Sequence, residues 1–417
     1  MQVILLDEAR FDSFANMHPN HNYYQSSNYG RFVSKHGYNS YYLGLANDSN
    51  EIKAATLMIV KNDKSNSKRK MGYAPRGFLI DWNDVELVKE FTEKLKDFLQ
   101  KRGFTYLKLD PAIVYKEHSI DGKENNLGEE QSGFISKLQE LGYIHLGFNN
   151  GAETNKSRWE ASCVLNSNLV ALYNSLSKEA RSKIKDSNLF GCKVYKGTSE
   201  DISLLYDLIK NPKPDLEYFL DYYHFFSTNK SFEIYFSKLE PSICINSTKA
   251  IYENELSKNN ELNKQMQNFS NPNREFIINQ KMKSDEDLAK YKKNMLDASK
   301  LFQEYPQGII VAATAAIKYG NQVYFIANGI KEEFKDKFPE YIMYWHLFQQ
   351  YAMQGFSIVN FNGISGNYQN DEKLKYKVEL SNRIVEYVGE FDLVINKKGY
   401  YTGNKLNPII NWLNAPI

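Results

Sequence analysis

The sequence predicts an α/β (α+β) chain of two similar halves, with an antiparallel helical arm inserted in the second. Three observations carry this reading. First, a helix–glycine–strand unit occurs twice. One copy runs Val85-Glu86-Leu87-Val88, Phe91, Leu95 and Phe98-Leu99, then Arg102-Gly103-Phe104-Thr105-Tyr106-Leu107-Lys108-Leu109-Asp110-Pro111. The other runs Tyr341, Trp345, Phe348 and Ala352, then Gln354-Gly355-Phe356-Ser357-Ile358-Val359-Asn360-Phe361-Asn362-Gly363. In each, apolar residues three and four apart mark one helical face, glycine closes the helix, and a short apolar run follows. Asp110 of the first copy falls opposite Asn362 of the second. Two such units place a cleft, and the chemistry, between the halves. Second, residues 247–304 are polar, charged and almost free of glycine. Third, apolar runs resume directly after that stretch, at Ile309-Ile310-Val311-Ala312 and Gln322-Val323-Tyr324-Phe325-Ile326.

Taken in order, residues 1–150 form the first half, with strands expected near 2–6, 40–45, 53–60 and 104–109 and helices near 84–101 and 130–141. The run Lys61 to Lys70 is a polar loop, read either as a solvated hairpin tip or as a contact for a polyanion. The second half comprises 151–246 plus 305–417. It begins near Arg158-Trp159-Glu160-Ala161-Ser162-Cys163-Val164 and continues through helices near 178–188 and 216–226. Between its two parts, Leu288, Tyr291, Met295, Ala298 and Phe302 follow the three-four spacing of a coiled-coil seam. Tyr252, Leu256, Leu262 and Met266 face them less regularly across a turn at Phe269-Ser270-Asn271-Pro272-Asn273. The 247–304 stretch is therefore expected to be a projecting helical hairpin. Insertion at an exposed loop is tolerated when its ends stay close together.

The chain has 417 residues, 42% of them hydrophobic, enough for two domains or one large one. A net charge of +2 excludes a global field for nucleic acid, so RNA contact has to come from local patches. Cys163, Cys192 and Cys244 lack metal or redox spacing and fit a reduced, cytoplasmic protein. No apolar stretch is long enough to span a bilayer, and the start lacks the basic region of a signal peptide. No Walker loop or dinucleotide-binding glycine pattern occurs. Gly363-Ile364-Ser365-Gly366 is one residue short of a nucleophile elbow and reads as a strand-end turn. His18 and His21 form the only close histidine pair, and Pro19 between them spoils a helical metal face. No metal or cofactor is expected. With no covalent nucleophile to single out, the chain is expected to join two bound substrates through position and charge.

Several ordered segments resemble the Fem family of transfer-RNA-dependent aminoacyltransferases that build peptidoglycan cross-bridges. They include Gln25-Ser26, Tyr29 and Lys35-His36-Gly37-Tyr38, then Ala74-Pro75-Arg76-Gly77-Phe78-Leu79-Ile80-Asp81 and Leu107-Lys108-Leu109-Asp110-Pro111. Leu141-Gly142-Tyr143, Gly147-Phe148, Trp345, Gly355, Asn360-Phe361-Asn362-Gly363 and Glu386-Tyr387-Val388-Gly389-Glu390-Phe391 follow in the same order. Each is weak alone; order and spacing over Gln25 to Phe391 make the set specific. The resemblance implies two acetyltransferase-like (GNAT) subdomains. It implies transfer of an amino acid from aminoacyl-tRNA to the side-chain amine on the stem peptide of a peptidoglycan precursor, lipid-linked (lipid II) or nucleotide-linked (a UDP-muropeptide). An ester is already activated, so no ATP site is needed. It also implies a cytoplasmic location, with peripheral contact at the inner membrane face and self-association or pairing with a paralogue as further partners.

The resemblance assigns catalytic work to Lys377, as the oxyanion-facing lysine of an aromatic-lysine pair, here Tyr376-Lys377, expected on a strand. The glycine-aromatic that usually follows is replaced by Glu379-Leu380. Asp110 is a candidate amine-orienting carboxylate or a strand cap, and Arg76 either braces a turn or binds substrate. Tyr324 and Tyr376 are further substrate-binding candidates. The precursor-binding lysine of the family aligns on Val33, leaving Arg31 or Lys35 to supply that charge. Its phosphate-gripping Arg and Tyr align on Pro214 and Tyr218, with Lys213 adjacent. The basic helix Lys178-Glu179-Ala180-Arg181-Ser182-Lys183-Ile184-Lys185 is either a solvated face or a contact for transfer RNA or anionic lipid. Two other readings stand beside this one. A CoA-dependent acyltransferase would need a glycine-rich pyrophosphate turn, which is missing; a non-catalytic Fem-like scaffold is kept open by the losses at Val33 and Pro214.

Overall fold

The computed structural model describes residues 1–61, 70–128, 130–148, 155–209, 215–228, 230–267, 272–371 and 374–404. Lys213, Pro214 and nearly all of the 61–70 loop lie outside them. The first strands are Gln2–Leu5 (β1), Tyr38–Ala46 (β2), Ile52–Lys61 (β3), Lys70–Ala74 (β4), Phe104–Leu109 (β5), Val114–His118 (β6) and Tyr143–His145 (β7). Then come Trp159–Val164 (β8), Cys192–Lys196 (β9), Phe232–Leu239 (β10), Ile309–Tyr319 (β11) and Gln322–Ile330 (β12). Ile358–Ile364 (β13), Arg383–Tyr387 (β14) and Phe391–Val394 (β15) complete the set.

They form two mixed sheets, ordered β1-β2-β3-β4-β5-β15-β7 and β6-β14-β8-β13-β12-β11-β10-β9. Among the described strands, the two parallel pairs are β4–β5 and β12–β13. Each is bridged by one copy of the repeated unit, through the helices Val85–Gln100 and Pro339–Met353. Parallel neighbours need such a crossover. The first helix starts on Asp84, whose side chain accepts from the Leu87 N–H, and buries Val88, Phe91, Leu95 and Leu99. Gly103 and Gly355 sit at φ 75° and 86°. A Cβ on either would meet nothing within 4 Å, so it is the left-handed backbone, and not space, that calls for glycine.

The sheets exchange strands across the expected boundary at residue 150. β6 pairs with β14 of the second sheet, and β15 returns to pair with β5 and β7 of the first. The halves are consequently laced together. Nor is the space between them an open cleft along its length. One apolar cluster joins Tyr42, Leu57 and Tyr73 of the first sheet to Phe236, Ala315 and Tyr324 of the second. Separate clusters cover the outer faces, under Val85–Gln100 on one side and under Pro339–Met353 with the basic helix Lys178–Leu189 on the other.

The arm joins β10 to β11, whose ends Leu239 and Ile309 are paired neighbours. Its helices are Pro241–Met266 and Arg274–Glu304, so the first begins six residues before the expected start at 247. Ala298 of the expected seam is buried, but Phe302 and Leu256 are exposed; Leu301 packs at the root in place of Phe302. Midway, Asn259 Nδ2 donates to Ser284 Oγ (3.1 Å) and Ser284 Oγ donates to Glu255 Oε1 (2.6 Å). A buried polar layer of this kind fixes register at some cost in stability. At the root, Cys244 and Thr248 are buried, while Leu301 and Tyr305 pack against Cys192, Leu239, Val311 and Phe334. Replacing residues 253–290 by a short Gly/Ser linker should keep one cooperative thermal transition near the wild-type temperature. Removing 247–304 takes Thr248 and Leu301 out of packed positions and should lower it by several degrees. Calorimetry of the two deletions separates root from arm.

Candidate functional site

Asp110 follows the last residue of β5 and is buried. Its Oδ1 accepts from the Arg76 backbone N–H (2.8 Å) and its Oδ2 from the Tyr73 hydroxyl (3.0 Å). Arg76 lies in the turn after β4 at φ 51°. Its guanidinium donates to the Ser157 carbonyl (2.7 Å) and to Glu160 Oε1 (2.6 Å), and lies 3.8 Å from Asp110 Oδ2. It also stacks over the Tyr387 ring, 4.5 Å from the centroid. The second Glu160 oxygen accepts from the Tyr387 hydroxyl (2.8 Å) and Asn360 Nδ2 (2.9 Å). One buried cation thus joins a carboxylate of each half, and both are further held by neutral donors.

This network walls a cavity of about 220 Å³ at the junction of the halves. The first half contributes Asn22, Tyr24 and Arg76; the second contributes Glu160, Tyr324 and Tyr387. Period-two alternation in β8 turns Glu160 and Ser162 to the cavity and Trp159, Ala161 and Cys163 to the outer core. Lys156 stands behind Tyr24, its ammonium 4.0 Å from the ring centroid. Burial pulls the Lys156 ammonium down to about 7, against the raising pull of Asp110 and Glu160. Burial pushes the Asp110 carboxyl up to about 6, against the lowering pull of Arg76.

Lys377 is on a short helix, Lys375–Glu379, and not on the expected strand. Its Nζ donates to the Gly363 carbonyl (3.0 Å). Tyr376 donates its hydroxyl to Asn328 Oδ1 (2.8 Å) and stacks on Tyr344. The Glu379 that departs from the family pattern is buried and accepts from Lys183 Nζ (2.6 Å) and the Tyr341 hydroxyl (2.7 Å). Parallel pairing of β12 with β13 covers Gln322 to Tyr324 and Ile358 to Asn360. Beyond it Asn362 takes φ 59° and the register shifts, so the Lys377 ammonium meets the strand end at Gly363. Lys377 does not line the cavity. Gly363 is nevertheless the cross-strand partner of Glu160, and the Glu160 charge acts on Lys377. Burial lowers the Lys377 ammonium to about 8, with Glu160 opposing the shift.

A third group lies apart, where the helix Ser27–Lys35 meets Leu216–Ser227. Lys35 Nζ pairs with Asp221 (2.5 Å) and Glu217 (3.8 Å), and Tyr218 packs edge-on against Phe32. Lys35 and Tyr218 therefore both lie at this helix pair, whereas Arg31 turns to Glu8 (3.2 Å) and Asn28 (2.5 Å). Val33 is buried in the core between the sheets, so no side chain at that position reaches a ligand.

Asp110, Arg76 and Tyr324 are brought together; Tyr376 and Lys377 adjoin them through Glu160. Glu160, Lys156, Tyr24 and Tyr387 also line or back the cavity and are not among the site residues expected from the sequence. Glu160 had a signal: it is the only charge in the run Trp159 to Val164, and a charge in a doubly buried strand needs a partner. Among the described residues, no three His, Cys, Asp or Glu side chains are placed to hold a metal ion. No described helix is long and apolar enough to cross a membrane. Arg76→Met would leave Asp110 and Glu160 buried without their shared cation. Breaking a buried pair in this way typically costs about 3–5 kcal/mol, so urea unfolding should show a loss of that size. A change below about 1 kcal/mol would mean that the carboxylates are paired otherwise.

The FemAB family's sequence model matches residues 6–407. A lipid II:glycine glycyltransferase of Staphylococcus epidermidis is 22% identical over 421 residues, spanning 98% of this chain and 96% of that protein. The aminoacyltransferase FemA of Staphylococcus aureus is 24% identical over 421 residues, spanning 97% and 98%. The crystal structure of FemX aligns with a TM-score of 0.72 at 19% identity, over 97% of this chain and 100% of that one. That last likeness is one of fold. With the family matched over nearly its whole length, the chain belongs to the FemAB family.

Proposed function

We propose that the protein transfers an aminoacyl group from an aminoacyl-tRNA to the side-chain amine of the stem peptide of a peptidoglycan precursor. The end-to-end family match carries this reading. A relative that is a lipid II:glycine glycyltransferase favours the lipid-linked precursor as acceptor.

In this reading the amine nitrogen attacks the ester carbonyl, the tetrahedral intermediate collapses, and the ribose oxygen leaves as a hydroxyl. Two tasks fall to the protein. The acceptor has to arrive as the free base, since an alkyl ammonium of pKa about 10.4 is neutral to only about one part in a thousand near pH 7. The oxyanion also has to be held. A cavity of about 220 Å³ lined by Glu160, Arg76 and three tyrosines suits a single amine-bearing side chain, with Asp110 behind it as the orienting carboxylate. Lys377 stands outside the cavity wall at the splayed end of β13; in this reading its ammonium leaves the Gly363 carbonyl to meet the oxyanion, while Tyr376 fixes its helix. Lys35 and Tyr218 are the phosphate contacts, Lys35 exchanging Asp221 for the ligand. Arg31 and Arg76 are already committed to protein carboxylates and serve as braces.

The reading is tested by assaying transfer with charged transfer RNA before and after ribonuclease digestion. Digestion should abolish product, and free amino acid with ATP should give none. Product after complete digestion would refute an RNA-borne ester as donor.

Lys377→Met keeps the stem and removes the charge. Loss of one oxyanion donor typically lowers turnover about 10²- to 10³-fold, with the precursor KM little changed. A rise in KM alone would assign the residue to ground-state binding. The wild-type kcat should also fall as pH rises through about 8, where Lys377 sheds its proton, and this limb should vanish in the variant.

The same shift bears on stability. The folded-state value lies below that of a free lysine, so burying the charged form costs stability below about pH 8. The cost fades between pH 8 and the free-lysine value near 10.4. Lys377→Met should accordingly stabilise the fold at pH 7, on the order of 1–3 kcal/mol, with the gain shrinking above pH 8. Chemical denaturation at pH 7 and pH 10 reads it directly.

A further inference from the structure

On the outer face of the second sheet, away from the cavity, a groove of about 390 Å³ runs between Lys178–Leu189, Pro339–Met353 and β9. Tyr173 and Trp345 stand in it as an edge-to-face pair, centroids 5.1 Å apart, over a floor that includes Ile342. Lys185 and Lys193 rise on its rim with the Asn188 carboxamide beside them, all three exposed. Neither ammonium has an ion-pair partner among the described residues. This sets them apart from Lys183, two residues before Lys185 on the same helix, which is spent on Glu379. The groove thus offers aromatic faces, a carboxamide and two uncompensated cations around one recess. An aromatic ring carrying anionic groups is the ligand chemistry that satisfies all three.

We propose that this groove seats one unstacked nucleotide of an RNA strand, its base against Trp345 and Tyr173 and its phosphates on Lys185 and Lys193. The inference rests on the transfer-RNA reading above and assigns that partner a contact surface apart from the cavity. A lipid surface fits less well, because Tyr173 and Trp345 are half-buried while Lys185 and Lys193 are exposed. The groove is also mechanically tied to the reacting side. The helix that carries Lys185 also carries Lys183, whose bond to Glu379 holds the helix of Lys377. RNA seated in the groove would bear on the element that presents the candidate oxyanion lysine.

The test uses the full chain and an uncharged, fluorescein-labelled acceptor-stem RNA hairpin, titrated by anisotropy at several salt concentrations. Lys185→Glu/Lys193→Glu should weaken binding at least about tenfold and reduce the salt slope by about two, one per lost phosphate contact. Lys89→Glu/Lys94→Glu, the same charge change on the exposed face of Val85–Gln100, should leave affinity within about twofold. Thermal melts check the fold, and Lys185→Gln/Lys193→Gln provides a milder variant with a smaller loss in the same direction. Equal losses from the two charge-reversal pairs, or none from the groove pair, would overturn the proposal. So would an unchanged hairpin affinity with lost binding to phosphatidylglycerol vesicles, which would mark a lipid contact. If wild type binds the hairpin and its turnover is ribonuclease-sensitive, but the groove variants behave like wild type, the groove assignment fails alone. Ribonuclease-resistant turnover would instead remove the reading on which it rests.

Discussion

The buried guanidinium of Arg76 is the interaction on which the rest of the site depends. It comes from the first half, and its strongest partner, Glu160, comes from the second. Two carboxylates and a guanidinium taken out of water carry a large desolvation cost, which only close, multiply hydrogen-bonded geometry offsets. That geometry is present: Glu160 accepts from Arg76, Tyr387 and Asn360, and Asp110 from Tyr73 and the Arg76 backbone. The network therefore dictates how the turn after β4, the end of β5, β8 and β14 sit relative to one another. It also keeps the junction polar where the neighbouring sheet–sheet contact is apolar, and the cavity persists there.

From this anchor the field of Glu160 reaches three cations. It is satisfied by Arg76, and it supports the charged forms of Lys156 and Lys377 against their burial. Lys377 needs that support because, among the described residues, its ammonium bonds to one carbonyl, that of Gly363. The splay of β13 from β12 makes the place for it, and Glu379 closes the arrangement from behind. A substitution that looks like damage to a family motif is in fact a buried anchor, reaching Lys183 and Tyr341 on two different helices.

The parts of this design legible in the sequence are those encoded locally. The two crossover units announce themselves through a three-four apolar spacing and a glycine that the backbone requires. The arm is visible from its charge and heptad spacing, though not its root, since Cys244 becomes buried, and Leu301 partly so, only where the root meets the second sheet. Strand exchange was invisible for a related reason. His118 pairs with Ile384 and Leu109 with Phe391, and nothing within either short strand specifies a partner so distant. The run Glu386 to Phe391 looks continuous, yet Gly389 at φ 93° divides it between the two sheets. Lys377 falls on a helix and not on the expected strand: the family's strand position, carried over by resemblance, says nothing of the local contacts of Lys375 to Glu379 in this chain. Tertiary partners for Tyr376 and Glu379 turn it into a helix. Asp110, Arg76 and Tyr324 were found through motif and position, whereas Lys156 and Tyr24 acquire meaning only from their place around the cavity.

Glu160, anchored by Arg76, supports the charged form of Lys377 against its burial at the junction of the halves. Titrating the Lys377 side chain by NMR, with ¹³C-dimethylated lysines and Lys377→Arg for assignment, tests it most directly. The midpoint should lie near pH 8 in the wild type and lower in Glu160→Gln, where the supporting charge is gone. A midpoint close to that of a free lysine, about 10.4, and unmoved by Glu160→Gln would contradict it.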